Sequence, residues 1–145
     1  MDQCIKEGRD MTSSNLDIVR RWYATFDPDL VHEDIEWNLA EGFPSEGHYR
    51  GRKAVFEEWW PKLCTYFDDW KANVEHVLDA GDAIIGLGHY TGRAKATGRA
   101  LHVPFVHVWW TRAGKIAKLD QHTNTLILHR IINDTSAHEA AHTAE

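Results

Sequence analysis

Cysteine is scarce: Cys4 and Cys64 are the only two in 145 residues. Two cysteines make no disulfide framework, so a reducing, cytoplasmic setting is the expectation. Long apolar runs are missing too. No stretch approaches the roughly 20 residues that span a bilayer. The first residues are polar and mixed in charge, unlike a secretory leader, and no membrane partner is expected. A basic excess is also absent, with 16 Lys and Arg against 22 Asp and Glu and a formal net charge of −6. A nucleic-acid surface would need a basic stripe, so nucleic acid is not an expected partner. The densest basic cluster, Arg50, Arg52 and Lys53, runs straight into Glu57 and Glu58 and reads as a solvated helix start. There is no nucleotide-binding glycine loop. Thr91-Gly92-Arg93 and Thr97-Gly98-Arg99 read as turn chemistry in a basic hairpin. Nothing in the chain requires a cofactor.

One metal-like pattern occurs. His138-Glu139-Ala140-Ala141-His142 spells the zinc-protease spacing, which on a helix puts both histidines on one face. A catalytic zinc needs a buried helix and a third ligand, and only Glu145 lies downstream. With ten histidines in the chain such spacing arises easily by chance, so no metal is assigned. Adventitious metal binding by the tail is the most this pattern supports. Asn133-Asp134-Thr135 matches a glycosylation acceptor, without a secretory signal to support its use.

What the chain does have is tryptophan and histidine, seven and ten residues. Trp joins an apolar body to a polar handle, which suits pockets and interfaces. Histidine changes charge near neutral pH. The length suits one domain, able to bury roughly 70% of its unfolded surface. Residues 1–13 show no periodicity and read as a loose segment, with Met11 an alternative start. Residues 14–132 carry the domain. The small, polar, Ala-rich stretch 133–145 reads as a flexible tail.

Within the domain, Leu16, Val19, Tyr23 and Phe26 recur at helical spacing, predicting a helix over 14–26 capped by Ser14 or Asn15. Asp27-Pro28-Asp29 stops it, and a short helical piece around Leu30 and Val31 follows. Ile35 to Leu39 alternates like a strand. Gly42, Pro44, Gly47 and Gly51 mark a loop. A helix from about Arg52 buries Val55, Phe56, Trp59 and Trp60, with Pro61 kinking or restarting it. The second half reads as strands at 72–78, 83–92, 101–111 and 116–132, the last one bulged. Helices first and a strand meander after predict an α+β fold with a curved antiparallel sheet.

Several phrases, taken in order, resemble the nuclear transport factor two-like superfamily, and within it ketosteroid isomerase and the SnoaL-like polyketide cyclases. They are Asp34-Ile35-Glu36-Trp37, His48-Tyr49-Arg50-Gly51-Arg52-Lys53-Ala54-Val55, Gly81-Asp82, Val106-His107-Val108-Trp109, Gly114-Lys115-Ile116 and His122-Thr123-Asn124-Thr125. The likeness covers roughly residues 14–130. It implies a cone-shaped roll whose bent sheet and helices enclose a deep apolar pocket, and whose outer sheet face often pairs two subunits. Members include isomerases, cyclases, dehydratases, epoxide hydrolases and proteins that only bind, so the site must be argued separately.

His107 is the first catalytic candidate. It interrupts the apolar strand of Val103, Phe105, Val106, Val108, Trp109 and Trp110, with Phe105 and Trp109 as neighbours on its face. Such an imidazole can donate to a substrate oxygen or exchange a proton with carbon. The resemblance puts His107 where many relatives place an acid or a histidine. In ketosteroid isomerase that acid donates to a developing oxyanion. The structural alternative is a core histidine satisfied by a neighbouring strand or by a tyrosine. Asn124 departs from the aspartate of SnoaL-like relatives. An amide cannot serve as a general base, though it can orient water or donate a hydrogen bond. The alternative for it is backbone pairing at a bulge. Strict alternation puts Asp120, His122 and Asn124 on one face, so His122 and Asn124 are candidate helpers. Asp120 fits better as a strand end in solvent. The base that ketosteroid isomerase carries near its first strand aligns with Leu39 here and is not matched.

Trp37, Trp59, Phe105 and Trp109 are candidates to line the pocket, and Tyr49, with His48, to sit at its mouth. His89 and Tyr90 are adjacent, so only one can face inward. His89 is carried as the binding candidate, beside Gly86 and Gly88, which leave room for a ligand or a bend. The expectation is a cofactor-free isomerase, cyclase or dehydratase acting by general acid–base chemistry. Its substrate would be a small apolar, oxygen-bearing molecule of polyketide, terpenoid or steroid-like type, and the protein a homodimer paired through the sheet. The rivals are a non-catalytic binding or dimerisation module and, third, an epoxide hydrolase, for which no convincing Asp–Arg–Asp set is visible.

Overall fold

The computed structural model describes residues 15–133. The loose N-terminal segment, Cys4, the Ser14 cap, most of the tail and the His138–His142 pattern lie outside the described residues. Helix α1 spans residues 15–25 and buries Ile18, Val19 and Trp22. It ends at Phe26, whose positive φ of 56° turns the chain into Asp27-Pro28. Pro28–Leu30 forms a single 3₁₀ turn, with Asp27 accepting the Asp29 N–H.

The sheet has six strands: β1 (Val31–Asn38), β2 (His48–Arg50), β3 (Phe67–Asp79), β4 (Ile84–Ala94), β5 (Ala100–Arg112) and β6 (Lys115–Thr123), in spatial order β2-β1-β6-β5-β4-β3. The α+β expectation holds. The sheet is mixed, however, because β1 runs parallel to β6, with Trp37 opposite Leu119 and Asn38 opposite Asp120. Helix α2 (residues 52–64) lies between β2 and β3. Its middle, Val55–Trp59, is a π-helical turn in which the Trp60 N–H reaches the Val55 carbonyl. Pro61 follows immediately and brings no N–H of its own, so the wide turn joins two helical pieces without breaking them.

Helix α3 (Thr125–Asn133) corrects the expected long last strand. Leu126, Ile127, Leu128, Ile131 and Ile132 resemble a strand in composition, but Leu128 and Ile131 are the buried pair, at helical spacing. Among the described residues no helix is long and apolar enough to cross a membrane.

Strand alternation sorts the side chains. Leu101, Val103, Phe105, His107 and Trp109 of β5 are buried, whereas His102, Pro104 and Val106 are exposed. On β1 the inward set is Val31, Ile35 and Trp37, and on β6 it is Ile116, Leu119 and Gln121. Helices α1 and α2 cover this face, bringing Trp22, Tyr23, Trp59 and Trp60 over it. Gly88 lets the strands close up: a Cβ there would overlap the Asn73 carbonyl. It stands opposite Val74, next to the point where the β3 register shifts.

Candidate active site

Between the helices and the inner sheet face lies a cavity of about 430 Å³, a size that suits a small organic ligand. Trp22, Trp37, Trp59, Trp70 and Trp109 supply most of its wall, and Tyr23, Tyr90, His107 and Gln121 reach it from four different elements. His107 is 5% exposed, and Phe105 stacks on its ring at 4.0 Å between centroids.

Both nitrogens of His107 are engaged by tyrosines. Nδ1 lies 2.6 Å from the Tyr23 hydroxyl and Nε2 lies 2.6 Å from the Tyr90 hydroxyl. Trp109 Nε1 donates to the Tyr23 oxygen at 2.8 Å, and Gln121 Nε2 donates to the Tyr90 oxygen at 2.7 Å. The Gln121 amide is oriented from outside this cluster, because the Ala40 N–H donates to its Oε1 at 3.1 Å. Gly86 stands opposite His107 on β4. A Cβ there would collide with the Tyr23 hydroxyl, so the missing side chain is what admits that hydroxyl.

Counting hydrogens gives the cluster a direction. A neutral imidazole offers one donor and one acceptor, and each phenol brings one hydrogen. One phenol therefore donates to the ring, and the other receives from it and keeps a spare O–H. Tyr90 is enclosed, and among the described residues its oxygen meets no acceptor besides His107. Tyr90 is the more deeply buried of the two phenols, so a spare hydrogen is harder to satisfy there than on Tyr23. The favoured arrangement has Tyr90 donating to Nε2 and Nδ1–H donating to Tyr23. The Tyr23 hydrogen is then left for whatever occupies the cavity.

Burial, with a smaller contribution from His122, lowers the His107 pKa to about 3, so the ring is neutral at physiological pH. Burial raises both tyrosines above their ordinary value, opposed by the hydrogen bond from Trp109 at Tyr23 and from Gln121 at Tyr90. The cluster is thus uncharged, and it ends in a hydroxyl donor.

Several candidates fall elsewhere. His122 is on the outer face, in a shallow groove with Pro104 and Val106. Asn124 is no helper at the cavity. It caps α3, its Oδ1 accepting the Ile127 N–H at 3.1 Å. Inward alternation on β6 falls on Gln121 instead. His89 also faces outward, bonded to Glu75 at 2.8 Å and stacked on His102 at 3.9 Å, while Tyr90 takes the inward place. Tyr49 donates to the Ser45 carbonyl at 3.2 Å and is not among the residues lining the cavity. Asp120 accepts from Asn38 on the outer face at 2.9 Å. Trp37, Trp59 and Trp109 line the cavity, and Phe105 packs behind His107. Tyr23 and Gln121 are site residues without a role in the sequence reading, and Tyr90 is the inward member of the His89–Tyr90 pair. The available signals were the glycine opposite His107 and the period of two running through Leu119 to Gln121.

A SnoaL-like domain model matches residues 19–119 of the chain. Among solved structures, an NTF2-like protein from Burkholderia thailandensis is 30% identical, with a TM-score of 0.74 over 81% of this chain and 95% of that one. TerC, co-crystallised with polyporic acid, is 22% identical, with a TM-score of 0.75 over 83% and 99%. A protein from Jannaschia sp. CCS1 assigned as a SnoaL-like polyketide cyclase is 15% identical, with a TM-score of 0.72 over 84% and 93%. Among proteins with curated descriptions none matches.

Proposed function

Because the chain belongs to the SnoaL-like domain family, whose NTF2-like fold includes proteins assigned as cyclases and isomerases, we propose that its cavity is the active site of a cofactor-free isomerase, cyclase or dehydratase. Its substrate would be a small, mostly apolar molecule with a carbonyl or hydroxyl oxygen. The observation that carries this reading is the convergence of His107, Tyr23, Tyr90 and Gln121 on one cavity. Pairing to two tyrosines also satisfies a core histidine; what supports a site is that both tyrosines and Gln121 border the same cavity.

In this reading Tyr23 is the group that touches substrate. Its O–H donates to the substrate oxygen, and negative charge developing there is stabilised by a donor already oriented in a dry site. His107 and Trp109 position that hydroxyl, each donating to its oxygen. Tyr90 and Gln121 hold the His107 tautomer. His107 is then a positioning residue, since neither nitrogen is free to take a proton from carbon. The aromatic wall orients the substrate and excludes water.

A second reading, a non-catalytic binding module, is favoured by one observation: among the described residues no Asp or Glu lines the cavity. The same observation weighs against epoxide hydrolysis, which would need a carboxylate to activate water. Thermal shift with aromatic ketones, polyketide fragments and terpenoid epoxides, followed by mass spectrometry of every hit, separates the readings. Turnover in the wild type that falls at least about 100-fold in Tyr23→Phe, on the scale of one lost oxyanion donor, supports catalysis. Binding without conversion of any hit supports the module.

A further inference from the structure

The hydrogen bonds at His107 run in one direction, and that direction is set outside the cavity. The Ala40 N–H, just after β1, lies 3.1 Å from one end of the Gln121 side chain. A backbone N–H only donates, so that end is the oxygen, and the amide nitrogen faces the Tyr90 hydroxyl at 2.7 Å. Gln121 is buried and stands opposite His107 on the neighbouring strand. Each link then fixes the next. Tyr90 receives from Gln121 and donates to Nε2, and Nδ1–H donates to Tyr23. The Tyr23 oxygen also receives from Trp109 Nε1. Both of its lone pairs are then taken, so toward the cavity this hydroxyl can only donate.

We propose that Gln121 is a specificity-determining residue: as the positioning group at the head of this relay, it selects ligands that bring a carbonyl, which only accepts, to Tyr23. This rests on reading the cavity as the substrate site, and it narrows the ligand class to aromatic or conjugated ketones. The corresponding alcohol also accepts from Tyr23, but its own hydrogen finds no lone pair there and stays unpaired against an aromatic wall. A carboxylate at position 121 inverts the relay. It accepts from Ala40 and from Tyr90, so Tyr90 withdraws its hydrogen from Nε2 and receives Nε2–H instead. Nδ1 becomes an acceptor and draws the Tyr23 hydrogen. The Tyr23 oxygen then offers the cavity a lone pair and no hydrogen, and the alcohol becomes the better ligand.

The test uses a rigid matched pair, fluorenone and fluorenol. Binding is read by tryptophan fluorescence and calorimetry. The His107 tautomer is read by nitrogen NMR, its signals assigned by their absence from His107→Gln. Tyr23→Phe gives the ketone-to-alcohol ratio without the hydroxyl. Against that ratio the wild type should favour the ketone about threefold to tenfold, the scale of one hydrogen bond, with the ring proton on Nδ1. Because burial raises a carboxyl's pKa, Gln121→Glu is followed up to about pH 9. As its carboxyl ionises, the ring proton should move to Nε2 and the preference should pass to the alcohol. Tyr90→Phe, which cuts the relay between Gln121 and the ring, should lose the ketone preference. Three outcomes overturn the role of Gln121 and leave the cavity reading standing: a wild-type ring protonated on Nε2, a ketone preference that survives Tyr90→Phe, or a Gln121→Glu protein that keeps the wild-type tautomer or ratio at about pH 9. If neither ligand binds the wild type, or Tyr23→Phe binds the ketone as tightly as the wild type, the cavity reading fails and the proposal fails with it.

Discussion

A neutral imidazole held between two phenols has one hydrogen more than the three groups can share, and the surplus decides which residue faces substrate. Here it is assigned to Tyr23, the less deeply buried of the two phenols. The same neutrality makes stability depend on pH. The unfolded ring titrates near its ordinary value of 6.5, the folded ring near 3. Between those values the unfolded chain binds a proton that the folded chain does not. His107 therefore contributes fully above about pH 6.5. As pH falls below that, its contribution drops by up to about 1.4 kcal/mol per unit until the folded ring itself titrates. Urea unfolding at pH 7.5, 6 and 5 should show this loss, and His107→Gln should show a shallower one. Parallel slopes in the two proteins would mean that the buried ring is not the source. His107 could be found in the sequence because a polar residue inside an apolar strand stands out. Tyr23 could not, since on an amphipathic helix a tyrosine in the apolar stripe reads as core. Its role depends on a glycine 63 positions away on β4.

That glycine belongs to the scale of elements, where the site is assembled by what strands and helices allow. Gly86→Ala places a methyl group where the Tyr23 hydroxyl sits. The expected cost is about 1–3 kcal/mol from overpacking, seen as a lower urea midpoint, together with a loss of ligand affinity like that of Tyr23→Phe. Full affinity in the alanine variant would refute the link between strand and helix. Asn124→Ala tests the opposite case. With its cap removed, α3 should lose about 1 kcal/mol, while ligand affinity and any turnover stay at the wild-type level. A selective loss of turnover would return Asn124 to the site. The sequence misleads at this point because Leu126, Ile127, Leu128, Ile131 and Ile132 satisfy strand propensity as well as helix spacing. Only the capping asparagine and the buried Leu128–Ile131 pair tip the balance. A strand there would put Asn124 and His122 at the site, one step out of phase with Gln121.

Across the whole molecule the sheet divides the chemistry by face, and the division follows from one pairing that no local pattern announces. The strand meander β3 to β6 is legible, because each strand alternates and each turn carries its glycine or polar pair. The parallel pairing of β1 with β6 joins residues about 80 positions apart and depends on the packed helices. Once it forms, Trp37, Leu119 and Gln121 face the cavity, while Asn38, Asp120 and His122 go to the outer face. That outer face is not uniformly polar. Val106 is 37% exposed beside a shallow groove lined by Pro104, His122 and Leu126, and Leu126 itself stands 59% exposed at its edge. A patch that offers both a groove and an apolar side chain suits a two-fold contact with a second copy, because each subunit can fill the other's groove. We therefore expect light scattering after size exclusion to give twice the chain mass, and the paired variant Val106→Lys, Leu126→Lys to give one chain mass with the cavity cluster intact. A wild type that stays monomeric at high micromolar concentration would exclude this pairing. A double-lysine variant that stays dimeric would move the contact away from the groove beside β5. In either case ligand affinity should hold, because the contact and the cavity lie on opposite faces of one sheet.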